Sequence, residues 1–252
     1  MSYTDIHFHL LPGVDDGPKT IEESIELAAT AFAEGTRTIV ATPHVRPDFF
    51  TAVEELPERV REVEERLAAE GIEMTILRGG ELGHDMVGRL GQSELELIAQ
   101  GPPGGRWLLV ETPFAGLDEN FGAATDELRD RGFGVVVAHP ERAPDRDGSR
   151  WRALRYELAH GSVLQVNAWS LDGRHGLEAQ SVGRRMVREG RAQVVASDAH
   201  GGPRQPALLL GRDAAAFAEL SRRQADCLIR SNPRRLLERG LGVPRWVASA
   251  QR

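Results

Sequence analysis

Thr4-Asp5-Ile6-His7-Phe8-His9-Leu10-Leu11-Pro12-Gly13-Val14-Asp15-Asp16-Gly17 begins as a short candidate strand, delivers two histidines one residue apart, and breaks into a turn that carries paired aspartates. Imidazole and carboxylate donors this close together read as the start of a metal site. The rest of the chain can then be searched for the missing ligands.

That search finds the same event repeated. After the turn, Thr20-Ile21-Glu22-Glu23 has capping-box spacing, and Ile21, Ile25, Leu27, Ala28 and Phe32 recur at helical period up to Gly35. Residues 38–41 form a β-branched run ending at Thr42-Pro43-His44. Residues 58–70 predict a helix with a solvated, charged face, residues 73–77 a third strand leading to Glu81, and residues 107–110 a fourth ending at Glu111. Helix 118–131 precedes a strand at 134–138 that ends at His139, and helix 150–160 precedes one at 163–166 that ends at Asn167. Helix 176–189 leads to a strand at 193–196 closed by Ser197-Asp198-Ala199-His200. The remainder reads as helical, with residues 224–230 in one helix and Asn232 as the N-cap of another that has Pro233 at its first position.

Seven strands alternating with helices fit either an open doubly wound sheet or a barrel. The distribution of chemistry separates them. Six strands end in His, Asp or Glu and the seventh in Asn, whereas an open sheet concentrates its ligands at a switch point. The expectation is an α/β fold, a distorted (β/α)7 TIM-like barrel forming a single domain over 1–252, with a metal site at the C-terminal ends of its strands.

Composition narrows the function classes. A net charge of −7 gives no basic footprint for nucleic acid, and no run approaches the roughly 20 apolar residues of a membrane span. The first residues enter the His motif directly with no basic or apolar leader, so a cytoplasmic protein is expected. Cys227 is the only cysteine; it excludes an internal disulfide and a cysteine-rich zinc site. A cysteine-dependent phosphatase would need Arg six positions later, where Pro233 stands.

Taken singly, each strand-end residue is more often a turn or surface residue; the case rests on their common placement. His7, His9, Asp16, His44, Glu81, Glu111, His139, Asp198 and His200 exceed the needs of one tetrahedral zinc, so two or three divalent ions are expected. Imidazole with carboxylate and no thiolate suits manganese, iron, zinc or cobalt. Such a site turns bound water into hydroxide near neutral pH and neutralises a phosphoryl group, so phosphoester hydrolysis is the expected chemistry. Arg142 and Arg204 follow His139 and His200 closely enough to lie at the same mouth, where a guanidinium fork matches phosphate oxygens.

The segments DIHFHLLPGVDDGPKTIEES, ATPH, GGEL, the VET strand end, AHPER, ASDAH and NPRRLL resemble the polymerase-and-histidinol-phosphatase (PHP) superfamily. They are most similar to its bacterial tyrosine-phosphatase branch, associated with capsule and exopolysaccharide synthesis. The resemblance runs from residue 4 to about residue 237 and implies a (β/α)7 barrel with a trinuclear, often manganese-dependent site. It places His7, His9, Glu81 and Asp198 on one metal. Glu81, Glu111 and His139 fall on a second, with Glu81 bridging, and Asp16, His44 and His200 on a third. Arg142 and Arg204 match phosphate-contacting positions. The branch commonly carries Cys between the first two histidines and a second His after TPH, where this chain has Phe8 and Val45.

The activity so implied is that of a protein-tyrosine-phosphatase in which a hydroxide held between metals attacks phosphorus, Asp198 lies at the reaction centre, and a metal-held water or His200 protonates the leaving group. The implied partner is a membrane-associated bacterial tyrosine kinase, with an oligomer left open. The alternatives are a small-molecule phosphatase such as a histidinol-phosphate hydrolase, and a non-catalytic PHP scaffold.

Overall fold

Runs of Val, Ile, Leu and Ala too short for a helix pair as parallel strands, and the amphipathic stretches between them pack outside as helices. The computed structural model describes residues 2–145, 147–217 and 220–242. In chain order these form β1 (Tyr3–Phe8), α1 (Ile21–Ala33), β2 (Thr36–Ala41), β3 (His44–Val45), α2 (Leu56–Ala69), β4 (Thr75–Arg78), β5 (Glu81–Leu82), α3 (Gln92–Ile98) and β6 (Trp107–Glu111). Then follow α4 (Glu119–Asp130), β7 (Gly134–Ala138), α5 (Ser149–Ala159), β8 (Val163–Asn167), α6 (Ala168–Asp172), α7 (Leu177–Arg188), β9 (Ala192–Ala196), α8 (Leu208–Phe217), α9 (Arg222–Ile229) and α10 (Ser231–Arg239).

Two of the seven expected strands are broken. Pro43, which has no N–H to give a ladder, separates β2 from β3. Gly79-Gly80 separates β4 from β5, and only glycine fits there: a Cβ would stand 2.6 Å from Val40 Cγ1 at Gly79 and 2.7 Å from Val45 Cγ2 at Gly80. The ladders run β1-β2-β4 and β3-β5-β6-β7-β8-β9, parallel throughout. Since β2 leads into β3 and β4 into β5, these are successive arcs of one ring. The ring closes just beyond β9, where Asp198 donates its N–H to the His7 carbonyl at 3.0 Å and His9 donates to the Ala199 carbonyl at 2.9 Å. The (β/α) barrel expectation holds, with closure at the mouth in place of a regular ladder.

Period-2 alternation along each strand sorts the interior. Ile6, Val40, Trp107, Leu109, Val136, Ala138, Val194 and Ala196 fill the barrel, and Leu236 of α10 caps its floor. The Trp107 indole N–H donates to the Leu236 carbonyl at 2.9 Å, fixing that helix in place. Phe8, Leu27, Ile39, Leu108, Val135, Leu164 and Val195 belong to the outer layer between strands and helices.

Thr20 caps α1 as its spacing predicts, accepting from the Glu23 N–H at 3.3 Å. Helix α2 buries Leu56, Val60, Val63 and Leu67 and leaves its charged face exposed. Asn232 is a correction: it lies inside the first turn of α10, and its amide donates to the Gln193 carbonyl at 2.7 Å in place of capping. The short helices α3 and α6 were not read from the sequence. The single-domain expectation reaches over residues 243–252, which lie outside the described residues. No helix among the described residues is long and apolar enough to cross a membrane.

Candidate metal centre

Alternation also carries each strand's inner face upward from core to site. On β6 the sequence Trp107, Leu109, Glu111 goes from barrel core to mouth, and past β9 Val194, Ala196 and Asp198 do the same. The ladder between β1 and β2 is irregular between Asp5 and Phe8, the interval that holds His7. His139 and Asp198 take the left-handed backbone region at φ 36° and 53°. For non-glycine residues this costs on the order of 1–3 kcal/mol and persists where function demands it.

The structure brings all nine donors together. His7 Nε2 lies 3.2 Å from Glu81 Oε2, 3.3 Å from Asp198 Oδ1 and 3.2 Å from His9 Nε2. His9 Nε2 lies 3.4 Å from both carboxylate oxygens. Atoms sharing one cation at about 2.1 Å sit roughly 3.0–3.4 Å apart at octahedral to tetrahedral angles. Around the same carboxylate, His139 Nε2 stands 2.8 Å from Glu81 Oε1 and His44 Nδ1 2.9 Å from Oε2, with Glu111 Oε1 3.9 Å from His44 Nδ1. Further out, Asp16 Oδ1 is 3.1 Å from His200 Nε2 and 3.5 Å from His44 Nε2.

Four overlapping groups result: His7, His9 and Asp198; His7, Glu81 and His139; His44, Glu81 and Glu111; and His9, Asp16, His44 and His200. Glu81 joins two of them, as a bridging carboxylate would. His44 joins two as well, its Nδ1 toward Glu81 and its Nε2 toward Asp16, a double role the sequence did not reveal.

Hydrogen bonding behind the donors sets their protonation. His7 Nδ1 faces Gln165 Oε1 at 3.0 Å, and the Gln165 amide is oriented by donating to Asn167 Oδ1 at 2.9 Å. His9 Nδ1 faces Asp15 Oδ2 at 2.7 Å. Both acceptors call for a proton on Nδ1, which leaves the Nε2 lone pairs of His7 and His9 facing each other at 3.2 Å. Such a contact is repulsive unless a positive charge sits beside both. Glu81 Oε2 and His200 Nε2 are buried and make no hydrogen bond among the described residues, although imidazoles or a carboxylate stand near each. These orphaned lone pairs fit divalent cations.

Without an ion, protons do the balancing. Burial opposes charge on His7, but Glu81 and Asp198 outweigh it and push the imidazole up to about 9. Burial likewise opposes charge on Glu81 and Asp198, and the surrounding imidazoles, His7 first, hold both well below the usual carboxylate range. Asp15 is held at about 2, the His9 imidazole and the Gly17 and His44 amides outweighing its burial. Burial and the neighbouring His9 lower His200.

Both expected arginines reach the mouth. Arg142 Nη1 donates to Asp198 Oδ2 at 3.2 Å, and Arg204 Nη2 donates to Asp16 Oδ2 at 2.6 Å. A third went unread: Arg46 Nη1 donates to both Glu111 oxygens at 3.0 and 2.9 Å. Its only sequence signal was its place two residues after His44. Asp15, Gln165 and Asn167 were also missed as positioning residues. Of the two departures from the family pattern, Phe8 is fully buried in the outer core layer, and Val45 is buried beside Gly80.

Residues 3–238 match the family model described as "Capsular polysaccharide synthesis, CpsB/CapC". The chain is 32% identical over 207 residues to the tyrosine-protein phosphatase YwqE of Bacillus subtilis (strain 168), covering 78% of this chain and 76% of that protein. It is 26% identical over 241 residues to the tyrosine-protein phosphatase CpsB of Streptococcus pneumoniae, covering 92% and 97%. The solved structure described as belonging to the YwqE and CpsB "unique metal-dependent tyrosine phosphatases" superposes with a TM-score of 0.81 at 26% identity, covering 95% of this chain and 96% of that one. A histidinol phosphate phosphatase from Lactococcus lactis, solved with zinc, L-histidinol and phosphate, shares the fold at a TM-score of 0.53 and 16% identity. Motif order, barrel and donor cluster agree with the match over nearly the whole chain, and the protein belongs to the CpsB/CapC family of capsular polysaccharide synthesis.

Proposed function

We propose that this chain is a metal-dependent protein-tyrosine-phosphatase, hydrolysing phosphotyrosine on a protein. The observation that carries the reading is the convergence of nine donors on Glu81 and its neighbours, with buried lone pairs left unpaired and two arginines at the rim. His7, His9, Glu81 and Asp198 would hold one ion, Glu81, Glu111 and His139 a second, and Asp16, His44 and His200 a third. Divalent ions bound there, manganese foremost with iron, zinc or cobalt also compatible, supply a water nucleophile at neutral pH and offset phosphoryl charge.

The chain's own groups do the rest. Arg142 and Arg204 are partly exposed and each rests on a site carboxylate, so an incoming phosphate can take up their free N–H groups in a planar fork. Asp198 and Asp16 hold those guanidinium groups in place. His200 Nδ1 faces the Asp198 carbonyl at 2.9 Å, which puts its proton there and leaves Nε2 as a lone pair. That state suits a ligand better than a proton donor. The tyrosine leaving group, with a reference pKa of about 10, departs with little help from an acid. The substrate protein inferred from family membership is a membrane-associated tyrosine kinase of capsule or exopolysaccharide synthesis, met on the cytoplasmic side.

The test is elemental analysis of the purified protein together with turnover of an aryl phosphate across Mn, Zn, Fe and Mg. Asp198→Ala is expected to cost more than about 100-fold in kcat/KM and to lower metal content, since even residues behind metal ligands are worth 10–100-fold. Unchanged turnover with metal present would sink the mechanism. Absence of both bound metal and manganese stimulation in the parent protein would favour a scaffold. A higher kcat/KM on histidinol phosphate than on a phosphotyrosine peptide would move the reading to a small-molecule phosphatase.

A further inference from the structure

Four large hydrophobic side chains stand exposed among the described residues, and two of them, Phe49 at 40% and Phe114 at 56%, lie at the metal mouth. Phe49 follows β3 and stacks on His44, with ring centroids 4.9 Å apart and planes 19° from parallel. Phe114 follows β6 and lies nearly parallel to His139, 6.4 Å away with planes at 9°. His44 and His139 approach the two oxygens of Glu81, at 2.9 and 2.8 Å. The phenyl rings therefore flank the approach to one carboxylate. Each also carries a guanidinium, Arg46 over Phe49 at 5.7 Å and Arg142 over Phe114 at 4.9 Å.

Leaving two phenyl rings in water at one rim forgoes their burial, and of the four exposed large side chains these are the two that stand against site histidines. We propose that Phe49 and Phe114 form an aryl subsite that grips the ring of the ester undergoing hydrolysis and so selects aryl over alkyl phosphates. The proposal rests on the phosphatase reading and adds the basis of its selectivity. Arg142 donates to Asp198 and lies over the Phe114 ring, which sets that ring beside a guanidinium assigned to the phosphate. An aryl phosphate places its ring there, one ester oxygen from phosphorus. A phosphoserine ester places only a methylene in the same position and leaves the rings uncovered. Offset or edge-on contact with two phenyl faces is the geometry aromatic groups prefer.

The proposal can be tested with manganese-loaded protein and two non-hydrolysable probes in which a methylene replaces the ester oxygen, benzylphosphonate and ethylphosphonate, titrated by calorimetry. The parent is expected to bind benzylphosphonate about tenfold more tightly, the scale of one or two aromatic contacts. In Phe49→Ala/Phe114→Ala that ratio should fall toward one through loss on the benzyl side, and Phe49→Tyr/Phe114→Tyr should restore it. A parent ratio near one, a ratio that survives the double alanine variant, or no binding of either probe would overturn the subsite. So would an equal loss for both probes accompanied by lower manganese content, since the rings would then only brace His44 and His139. A parent that prefers benzylphosphonate yet hydrolyses neither phosphotyrosine nor phosphoserine peptides would refute the phosphatase reading alone and leave the subsite standing.

Discussion

Asp15 shows how much a single carboxylate can decide without standing in the first circle of donors. It accepts from His9 Nδ1 and from the backbone N–H groups of Gly17 and His44, so it orients one site histidine and the backbone of another. Asp15→Asn turns an acceptor toward His9 into an amide that can present N–H there, and the preferred tautomer is lost. A fall of about 10–100-fold in manganese affinity is expected, read by competition with a chelating dye. Gln165→Leu should act in the same direction through His7; retention of parental affinity in both variants would show that the tautomers are set otherwise. In the sequence, Asp16 of the aspartate pair reads as a ligand candidate and Asp15 has no assigned role. Which one turns inward depends on the turn after His9, and Gln165 meets His7 across 158 positions, so neither role was legible. The nine donors were legible because strand ends announce themselves by where an apolar run stops. Arg46 was not, because an arginine in a loop looks like any other.

At the scale of elements, short-range chemistry was readable and long-range geometry was not. Thr20 caps α1 through an oxygen three residues from its partner, and its replacement by Ala should lower stability by about 1 kcal/mol, measured by urea unfolding. A loss near zero would show that water satisfies the Glu23 N–H equally well. Asn232 is not the cap because α10 already begins at Ser231, and its amide instead donates to the Gln193 carbonyl, 39 positions away. The two interrupted strands were read as ending at Ala41 and Leu77, since the ladder resumes for only two residues after each break. Those resumed pairs, His44 with Glu81 and Val45 with Leu82, are what brings two donors from different strands side by side.

For the whole molecule, the metal centre couples pH to stability. In metal-free protein His7 is raised to about 9, so its pairing with Glu81 and Asp198 stabilises the fold fully below the ordinary histidine value of about 6.5. That contribution is lost as pH rises through 9. Glu81 and Asp198 are lowered, so their contribution is present above the usual carboxylate range and is lost as pH falls through their depressed values. Chelated protein should therefore lose several degrees in Tm between pH 6.5 and 9, while manganese-loaded protein, with its histidines neutral and bound, should hold its Tm across that window. Equal slopes in scanning calorimetry would separate the histidines from the cation site. The overall barrel was foreseeable from seven strand ends carrying polar donors, but its closure by two hydrogen bonds at the mouth was not, because those bonds join residues at opposite ends of the chain.

The shared inner face of core and mouth has a consequence for how such a protein tolerates change. Trp107, Leu109 and Glu111 stand on one side of a five-residue strand, with the intervening residues on the other. Inserting a single residue between Leu109 and Glu111 would keep Trp107 in the floor and turn the chain beyond the insertion to the opposite side, so Glu111 would leave the mouth unless a bulge absorbed the extra residue. A length change inside a strand therefore sets floor against mouth, and only a bulge of the kind already present beside His7 lets both keep their side. Phe49 and Phe114 lie in the loops that follow β3 and β6, where a length change leaves the register of every strand, and so of floor and mouth, untouched.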